Sequence, residues 1–299
     1  MNYLKRNIKN FLDERAAKKK VKLSRSKTGT FFMSLFLLSV SVFMILPMFY
    51  AFVQSFKPIG EIFAYPPKFF VKNPTFDNYL QVFKLSGNLW VPFSRYLLNS
   101  IFVSAVGTIG YILIATLAAY FLAKSGLKSA KYLSNVIVLA MMFSGSVTAV
   151  PQYLIISKLY LVDTWGAIIL PAFAATMGVF LMKQFIISSI PDALLEAARI
   201  DGAGEYKIYH LIVLPNVKPA WLTLMIFTFQ SLWNGNGGDY IYSEDMKLLP
   251  TVLANIASGG IARTGAAAAV SVIVMLPPIL IFIYSQSSVM ETMTHSGLK

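Results

Sequence analysis

The chain has 299 residues, of which 56% are hydrophobic and only 13% are charged, and its mean hydropathy is +0.63. A soluble domain carries about 25% charged residues, so this composition excludes an ordinary soluble protein and indicates a membrane-embedded one. The chain has no cysteine and only two histidines, His210 and His295. We therefore expect no disulfide and no thiolate or histidine metal site. The net charge of +13 could indicate nucleic-acid binding, but its concentration near the N-terminus argues against that partner.

The N-terminal segment is a basic run, from Lys5 to Lys27, that precedes the uncharged apolar stretch Thr30–Val53. A cleaved signal peptide is the competing interpretation, but its apolar region would cover only about 7–15 residues. We therefore interpret residues 1–29 as a basic cytoplasmic tail in front of an uncleaved first span. Such a tail can also contact anionic membrane lipid, although a solvated charge run is the simpler interpretation.

A membrane-spanning helix needs about 20 mostly apolar residues, and six stretches of this chain qualify. None contains Asp or Glu, and the only Lys or Arg residues inside them are Lys183 and Lys218, each close enough to a span end to reach the interface. The pattern predicts an all-α, polytopic membrane helical bundle of about six transmembrane helices, within residues 30–290. The predicted spans are Thr30–Val53, Tyr96–Leu122, Tyr132–Ile155, Trp165–Ile187, Val217–Trp233 and Ala266–Tyr284.

The positions of Lys and Arg near the span ends predict the orientation. The basic tail, the second-to-third connection with its three lysines, and the fourth-to-fifth connection with Arg199 and Lys207 all belong on the cytoplasmic side. Six spans then return the C-terminal segment 291–299 to the cytoplasm. The first outer loop, residues 57–95, breaks the pattern with four lysines, but we expect the strongly basic tail to decide the orientation.

The predicted outer loop 57–95 is rich in aromatic residues and is interrupted by Pro66, Pro67 and Pro74. One interpretation is a docking or sugar-facing surface. The other is a set of interfacial aromatic side chains that pack on the lipid headgroups. The sequence alone leaves both open.

The segment 189–215 is a polar island between long apolar stretches, and it must project into water beside the bilayer. Ser189 and Asp192 resemble a capping box, Ala193–Ile200 favours a helix, and Gly202 suits a left-handed helix end. Residues 205–213 favour a second short helix, which Pro215 closes. We interpret the segment as two short helices around a glycine elbow that dock a partner, the alternative being a simple solvated loop.

The same segment carries a recognisable motif. The pattern E-A-A-x-x-D-G-A followed by L-P is met by Glu196-Ala197-Ala198, Asp201-Gly202-Ala203 and Leu214-Pro215. It resembles the cytoplasmic EAA signature of bacterial ABC importer permeases. Asn73–Tyr79, Asn99-Ser100 and the tail from Ser296 to Lys299 are also similar to sugar permeases of the maltose type, so the resemblance extends from about the first span to the end.

The resemblance implies a type I ABC importer permease in the bacterial cell membrane, forming half of a translocation path for a sugar or oligosaccharide. It implies a second homologous permease, two ATP-binding cassette ATPase subunits that bind ATP and Mg, and an extracytoplasmic solute-binding protein as partners. It also implies that the EAA segment couples the permease to the ATPases. The implied coupling residues are Glu196, Ala197, Ala198, Asp201, Gly202, Ala203, Leu214 and Pro215.

Catalytic machinery is missing from the sequence. There is no G-x-x-x-x-G-K-[ST] phosphate loop, and neither histidine lies in a plausible Ser-His-Asp set. We expect a transport subunit with no catalytic residue and no cofactor of its own, with ATP hydrolysed on the partner ATPase. The missing charge near the middle of the spans speaks against an ion-coupled secondary carrier, which remains the alternative class, and an importer of another small solute is the alternative within the class.

Two features of the last spans carry functional hypotheses. Gln230, Trp233 and Asn234 combine an apolar face with amide groups near the end of the fifth span, and we predict that they line the substrate path. Helix packing or interface anchoring is the alternative role. Pro277-Pro278 should kink the sixth span, either as a hinge or as a static bend.

Overall fold

The computed structural model describes residues 26–87, 91–235, 237, 240–260 and 263–296, and every regular element in these ranges is helical. The prediction of an all-α membrane bundle is confirmed. Residues 1–25 of the predicted basic tail, residues 88–90 of the loop 57–95 and residues 297–299 of the predicted C-terminal tail lie outside the described residues. The chain divides into two compact units, one ending at Tyr50 and one beginning at Ala51.

The first helix, α1 (Lys27–Ser55), extends the predicted first span by a few residues at each end. Its part in the first unit presents almost only exposed apolar side chains, such as Phe32, Phe43 and Met44. Such a surface is stable only against lipid or a partner protein. The mean hydropathy of 2.3 over its most apolar window agrees with a membrane span.

The second unit holds the remaining helices. Over all the described residues, α1 included, four helices are long and apolar enough to cross a membrane. The number of spans rises to six if two bent helix pairs are each counted as one span. The helices are α2 (Ile59–Ile62), α3 (Asp77–Gly87), α4 (Phe93–Lys124), α5 (Lys128–Ala140), α6 (Gly145–Lys158), α7 (Gly166–Phe173), α8 (Thr176–Ser189), α9 (Asp192–Ile200), α10 (Glu205–Ile208), α11 (Leu214–Asn216), α12 (Lys218–Asn234), α13 (Leu249–Ala257) and α14 (Thr264–Ser296).

The third predicted span, Tyr132–Ile155, is not one continuous helix. It consists of α5 and α6, which meet at an angle of 112°. Ser144 takes an extended backbone conformation in front of α6, which begins at Gly145. A Ser-Gly dipeptide favours such a break because neither residue supports a helix interior. This local signal could have been found in the sequence.

The fourth predicted span is also interrupted. Helix α7 ends at Phe173, and α8 begins at Thr176 after Ala175 adopts a β-like conformation with φ −63° and ψ 107°. Irregular backbone at membrane depth is tolerated where it is buried in protein or lines a cavity. The hydroxyl of Tyr111 on α4 donates a hydrogen bond of 2.7 Å to the Ala175 carbonyl oxygen at this interruption.

Helix α4 lies at the centre of the second unit, with α7, α8 and α12 packed along it. Close packing depends on glycines. A Cβ at Gly107 would lie 2.5 Å from the Leu232 side chain, and a Cβ at Gly110 would lie 2.5 Å from the Phe173 ring. Small residues at such positions let helices in a membrane approach closely, because packing rather than water exclusion drives their association.

The loop 57–95 is held by specific polar contacts. The Glu61 carboxylate accepts a 2.6 Å hydrogen bond from the Lys72 backbone N–H, and the Asn78 amide donates to the carbonyl oxygens of Ser55 and Lys57 at 2.8 Å each. Aromatic side chains of the loop such as Tyr65, Phe70 and Phe76 are nevertheless exposed. Both interpretations of this aromatic surface remain predictions.

Candidate functional site

The polar segment 189–215 folds as two short helices around an elbow. Helix α9 runs over Asp192–Ile200, and the chain then turns at Asp201-Gly202. Gly202 has φ +79°, the left-handed conformation expected of a glycine at a helix end. The Gly202 N–H donates to the Arg199 carbonyl oxygen and the Ala203 N–H to that of Ala198, each at 3.0 Å. This pair of bonds is a Schellman motif, so the predicted elbow forms as expected.

The start of α9 differs from the expected capping box. Pro191 is the N-cap residue, with no side-chain capping hydrogen bond. Asp192 instead accepts a 2.6 Å hydrogen bond from the Lys124 ammonium group at the end of α4. The carboxylate still lies in the first turn of α9, where its negative charge interacts favourably with the positive end of the helix dipole. A partner distant in sequence has therefore replaced the local cap.

The second short helix of the segment is also irregular. Residues 205–208 are α-helical, Tyr209–Val213 form a π-helical turn, and Leu214–Asn216 return to α-helix. A π turn inserts an extra residue into the helix and rotates the side chains that follow it. Here it combines with a buried hydrogen bond of 2.6 Å between the hydroxyls of Tyr209 and Thr116.

One face of the segment is buried. Leu195, Ile208, Tyr209 and Val213 are all at most 2% exposed. They belong to one hydrophobic core with the buried residues of α4 and α8, including Ala115, Ala119 and Ile186. Because this core continues from the spans into the segment, the segment is an integral part of the second unit rather than a separate solvated loop.

The opposite face carries exposed apolar side chains. Ile200 is 86% exposed, Tyr206 76% and Leu211 65%, and Leu194 is 44% exposed. Leu194, Ala197 and Ile200 follow one another at three-residue spacing, which aligns them along one side of α9. This exposed apolar surface next to the elbow, which we call the docking face, needs a partner to cover it.

The predicted coupling residues lie on or near the docking face. Glu196, Ala197, Asp201, Gly202 and Pro215 are exposed. The other three, Ala198, Ala203 and Leu214, are partly buried against the core. The structure brings all but Leu214 and Pro215 together around the elbow, and these two lie at the far end of the second short helix.

A polar network missed by the sequence interpretation ties this segment to α4. The Tyr120 hydroxyl donates to Glu205 Oε2 at 2.6 Å, and Arg199 Nε donates to Glu205 Oε1 at 2.7 Å. Lys124 Nζ donates to the Ile190 carbonyl oxygen at 2.7 Å as well as to Asp192. Glu205 thus joins the two short helices to each other and to α4. The i, i+4 spacing of Tyr120 and Lys124 was the available signal, but their partners are more than 65 residues away.

Two cavities lie next to α12, and Phe227 lines both. The first, of about 300 Å³, lies between α4, the α7–α8 interruption and α12, and it includes Tyr111, Gly178, Thr228 and Ser231. The second, of about 360 Å³, lies between α12 and α14 and is lined by Gln230, Pro278 and aromatic and aliphatic side chains. Aromatic walls with a single amide suit the binding of a neutral polar solute.

The three residues predicted for the substrate path are placed differently from one another. Gln230 is exposed and lines the second cavity. Trp233 is fully buried, stacks on Phe229 with ring centroids 5.7 Å apart, and donates from its indole to the Val274 carbonyl oxygen at 2.9 Å. Asn234 ends α12, is exposed, and lines neither of these two cavities. The geometry therefore favours Gln230 as a solute contact and gives Trp233 a packing position.

Two carboxylates organise the connection that follows the C-terminal end of α12. Asp163, at φ +62°, accepts hydrogen bonds from the Ser243 hydroxyl, the Ser243 N–H and the Tyr242 N–H. These donors lower the pKa of Asp163 below its ordinary value, the Ser243 hydroxyl most. The ammonium group of Lys247 and, less strongly, the Tyr96 hydroxyl lower the pKa of Glu244. Both carboxylates are therefore held in the charged form as fixed parts of this end of the protein.

Within the described ranges, no three or more Asp, Glu or His side chains are grouped so that they could hold a metal ion. Two ion pairs, Arg199–Glu205 and Lys124–Asp192, lie within segment 189–215 or join it to α4.

Comparison with known proteins places these features in a family. The family model described as "Binding-protein-dependent transport system inner membrane component" matches residues 115–285, more than half of the chain. The chain is 28% identical over 268 residues to the arabinooligosaccharides transport system permease protein AraQ of Halalkalibacterium halodurans, covering 88% of this chain and 93% of that one. It is 30% identical over 217 residues to the polygalacturonan/rhamnogalacturonan transport system permease protein YtcP of Bacillus subtilis, covering 72% of each.

A solved structure has a similar fold. It is a chain in the crystal structure of a bacterial ABC transporter involved in the import of the acidic polysaccharide alginate. The TM-score is 0.74 at 22% sequence identity, and the match covers 89% of this chain and 99% of that chain. At this identity the likeness concerns the fold.

Proposed function

Because the chain belongs to the family of binding-protein-dependent transport system inner membrane components, we propose that it is the permease of an oligosaccharide importer whose segment 189–215 docks an ATPase. The chain is a transport subunit with the helical architecture of a type I ABC importer permease. The two opposite faces of the segment carry the proposal. One face is continuous with the core of the spans, and the docking face leaves Ile200, Tyr206 and Leu211 exposed.

An ATPase is the partner that this geometry fits. A surface that only needed to be soluble would carry charges in place of three large exposed apolar side chains. The rigid Schellman elbow keeps the docking face in one conformation, which lowers the entropy cost of binding. Glu196, Ala197, Ala198, Asp201, Gly202 and Ala203 form the coupling elbow in this proposal, with Leu214 and Pro215 ending the segment. ATP and Mg bind to the partner, and two such ATPases serve the complete importer.

The cargo in this proposal is an oligosaccharide. The relatives AraQ and YtcP are named for transport of arabinooligosaccharides and of polygalacturonan and rhamnogalacturonan. In this chain, the cavity lined by Gln230, Phe227, Phe229 and Phe282 offers ring faces and one amide, with no charged group. Aromatic faces and amides are the groups that bind neutral sugar rings.

The remaining partners follow from the same proposal. A second permease completes the path, and a solute-binding protein delivers the sugar from outside the cell membrane. The N- and C-terminal segments and segment 189–215 then lie in the cytoplasm, in agreement with the distribution of Lys and Arg. The loop 57–95 lies on the outer side, where its exposed aromatic side chains face lipid headgroups or the binding protein.

The test uses two substitutions on the elbow. Glu196→Lys reverses an exposed charge on α9, and Gly202→Pro removes the left-handed turn and the N–H that closes it. We expect both variants to reach the membrane but to lose ATP-dependent sugar uptake and co-purification of the ATPase. The matched control is Asp77→Lys, which reverses an exposed charge at the start of α3 and leaves the elbow intact. Normal uptake by both elbow variants would refute the docking role, and uptake without ATP would instead support an ion-coupled carrier.

A further inference from the structure

Three polar contacts join one face of α4 to segment 189–215. Thr116 bonds Tyr209 at 2.6 Å, Tyr120 bonds Glu205 at 2.6 Å, and Lys124 bonds Asp192 at 2.6 Å. The three residues of α4 are spaced four apart, so they lie above one another on one side of the helix. We call these contacts the three rungs. No motif in the sequence marks them.

Each rung reaches a different part of the segment. Lys124 contacts the first residue of α9, Tyr120 contacts the first residue of α10, and Thr116 contacts the first residue of the π turn. A segment held at one point could pivot about it. A segment held before the elbow, just after it and one turn further on has no such freedom.

Lys124 also acts at the place where the segment would hinge. Helix α8 ends at Ser189, and Ile190 takes an extended conformation before α9 begins. The Lys124 ammonium group donates to the Ile190 carbonyl oxygen at 2.7 Å while it holds Asp192. Its side chain is only 8% exposed. The single residue pair that could bend between α8 and α9 is therefore clamped from α4.

The rungs specify geometry more than they add stability. The ion pair of Arg199 and Glu205 beside Tyr120 is about half exposed, and such pairs contribute little. Thr116 and Tyr209 are buried, and the Thr116 hydroxyl bonds both the Tyr209 hydroxyl and the Ile112 carbonyl oxygen, the latter at 2.8 Å. Removing Thr116 would leave the buried Tyr209 hydroxyl without this bond, so the position is strongly defined. The apolar core that includes Ala115 and Ala119 stabilises the packing of the segment on α4, and the rungs fix the position of the segment along α4.

The same helix lines a cavity further along. Tyr111 borders the 300 Å³ cavity and donates to the Ala175 carbonyl oxygen where α7 and α8 are interrupted. From Lys124 to Tyr111 the helix rises about 20 Å at 1.5 Å per residue. Gly178 packs directly under the Tyr111 hydroxyl, since a Cβ there would lie 2.1 Å from it. Helix α4 thus connects segment 189–215 to the interruption between α7 and α8 at the cavity wall.

We propose that Thr116, Tyr120 and Lys124 are positioning residues that make segment 189–215 and α4 one rigid body. Movement of the segment then reaches the cavity through α4. This inference rests on the proposed function, because it assumes that an ATPase moves the segment. It names α4 as the element that transmits the movement, in place of the direct chain connections through Ile190 and Val217.

The first experiment measures the sugar moved per ATP hydrolysed in proteoliposomes, with the complex purified through a tag on this chain. The test variants are Tyr120→Phe, Lys124→Met and their combination. We expect the combination to lower the ratio about fivefold, which corresponds to a coupling free energy of about 1 kcal/mol. ATPase co-purification and ATP hydrolysis should stay within about twofold, because the docking face is untouched. Tyr132→Phe, the same change on an exposed side chain of α5 outside the segment, is the matched control.

A conservative replacement separates positioning from simple folding support. Lys124→Arg keeps donors that can reach both Ile190 and Asp192, so it should recover most of the ratio that Lys124→Met loses. If sugar transport and ATP hydrolysis fall together with the amount of complex, the rungs only support folding and the proposal is wrong. An unchanged ratio in the combined variant overturns it as well.

The second experiment does not depend on sugar transport. The chain contains no cysteine, so Phe121→Cys on α4 and Lys207→Cys on α10 provide unique sites for spin labels. In the complex, we expect the same distance between the labels with and without bound nucleotide. The combined Tyr120→Phe, Lys124→Met variant should broaden the distribution or shift it with nucleotide. A nucleotide-dependent shift in the unaltered chain would overturn the rigid-body proposal, whereas absent uptake with a constant distance would count against the proposed cargo alone.

Discussion

The indole nitrogen of Trp233 donates a 2.9 Å hydrogen bond to the carbonyl oxygen of Val274. In a regular helix this carbonyl would accept from the N–H of residue 278, four residues on. Residue 278 is proline and has no N–H. Trp233 therefore supplies, from α12, the donor that the proline pair removes from α14. The contact lies beside the cavity that Pro278 and Gln230 line.

This relationship predicts a specific energetic coupling between two positions. Trp233→Phe leaves the Val274 carbonyl without its donor and should cost about 1–3 kcal/mol beyond the loss of side-chain volume. Pro278→Ala restores an N–H at residue 278, so Trp233→Phe should cost less in that background. Thermal denaturation of the four purified proteins measures this double-mutant cycle. An equal cost in both backgrounds would show that the indole does not take the place of the N–H missing at residue 278.

The elbow predicts a difference between two neighbouring glycines. A Cβ at Gly202 or at Gly204 would meet no atom within 4 Å, but only Gly202 has a positive φ, of +79°. Gly202→Ala should therefore destabilise segment 189–215 by about 1–2 kcal/mol through backbone strain, and Gly204→Ala should be close to neutral. Hydrogen exchange of the α9 amides provides the measurement. Equal protection in the two variants would contradict a conformational role for Gly202.

A second glycine is constrained by space. A Cβ at Gly178 would lie 2.1 Å from the Tyr111 hydroxyl oxygen and 3.0 Å from the Leu224 side chain. Gly178→Ala should cost about 1–3 kcal/mol through overpacking. Removing the hydroxyl with Tyr111→Phe should recover part of that loss, because the closest contact disappears. If Gly178→Ala is equally destabilising in both backgrounds, as judged by thermal denaturation, the contact between Tyr111 and α8 is not the cause.

Asp163 predicts a pH dependence of stability. Its folded-state pKa is lowered from the ordinary value of 3.8, chiefly by the Ser243 hydroxyl. Its contribution to stability is therefore present above the unfolded-state pKa and is lost as the pH falls through the lower folded-state pKa. The melting temperature should drop below about pH 4, and this drop should be smaller in Asp163→Asn. An unchanged acid profile in the variant would show that Asp163 makes no such contribution.

Substitutions of Gln230 and Asn234 should have different effects on transport. Gln230→Leu removes the amide from the cavity between α12 and α14, so the KM for sugar should rise about two- to tenfold, the value of one hydrogen bond. Asn234→Leu serves as the matched control, since Asn234 lines neither described cavity. The amount of complex should be unchanged in both. A rise in KM with Asn234→Leu alone would move the solute contact to the end of α12.

The sequence predicted the helical spans, the α9 helix and the glycine elbow because each follows from local composition. An apolar stretch of about 20 residues has no alternative to a helix in lipid, and Gly202 at a helix end leads to a left-handed turn. The break between α5 and α6 at Ser144-Gly145 also has a local sequence signal. The sequence prediction missed it because the long apolar stretch around the break was taken as one continuous span.

The predicted capping box shows where local prediction fails. Ser189 and Asp192 have the right spacing, yet Asp192 bonds Lys124, 68 residues earlier in the chain. The energy difference between a local cap and a distant ion pair is small, so the packing of α4 against α8 decides which one forms. The role of Trp233 was decided in the same way, because its donor finds the free carbonyl only once α12 and α14 pack together.

The sequence by itself determined that this chain spans a membrane and carries a polar segment with the EAA pattern, since hydropathy and this pattern are properties of consecutive residues. Only the tertiary structure decided which helix holds that segment and which side chains face a cavity. The contacts of Thr116, Tyr120 and Lys124 join residues 66 to 93 positions apart. Such pairs are set by how the helices pack, because the four-residue spacing on α4 does not show which distant residues its side chains contact.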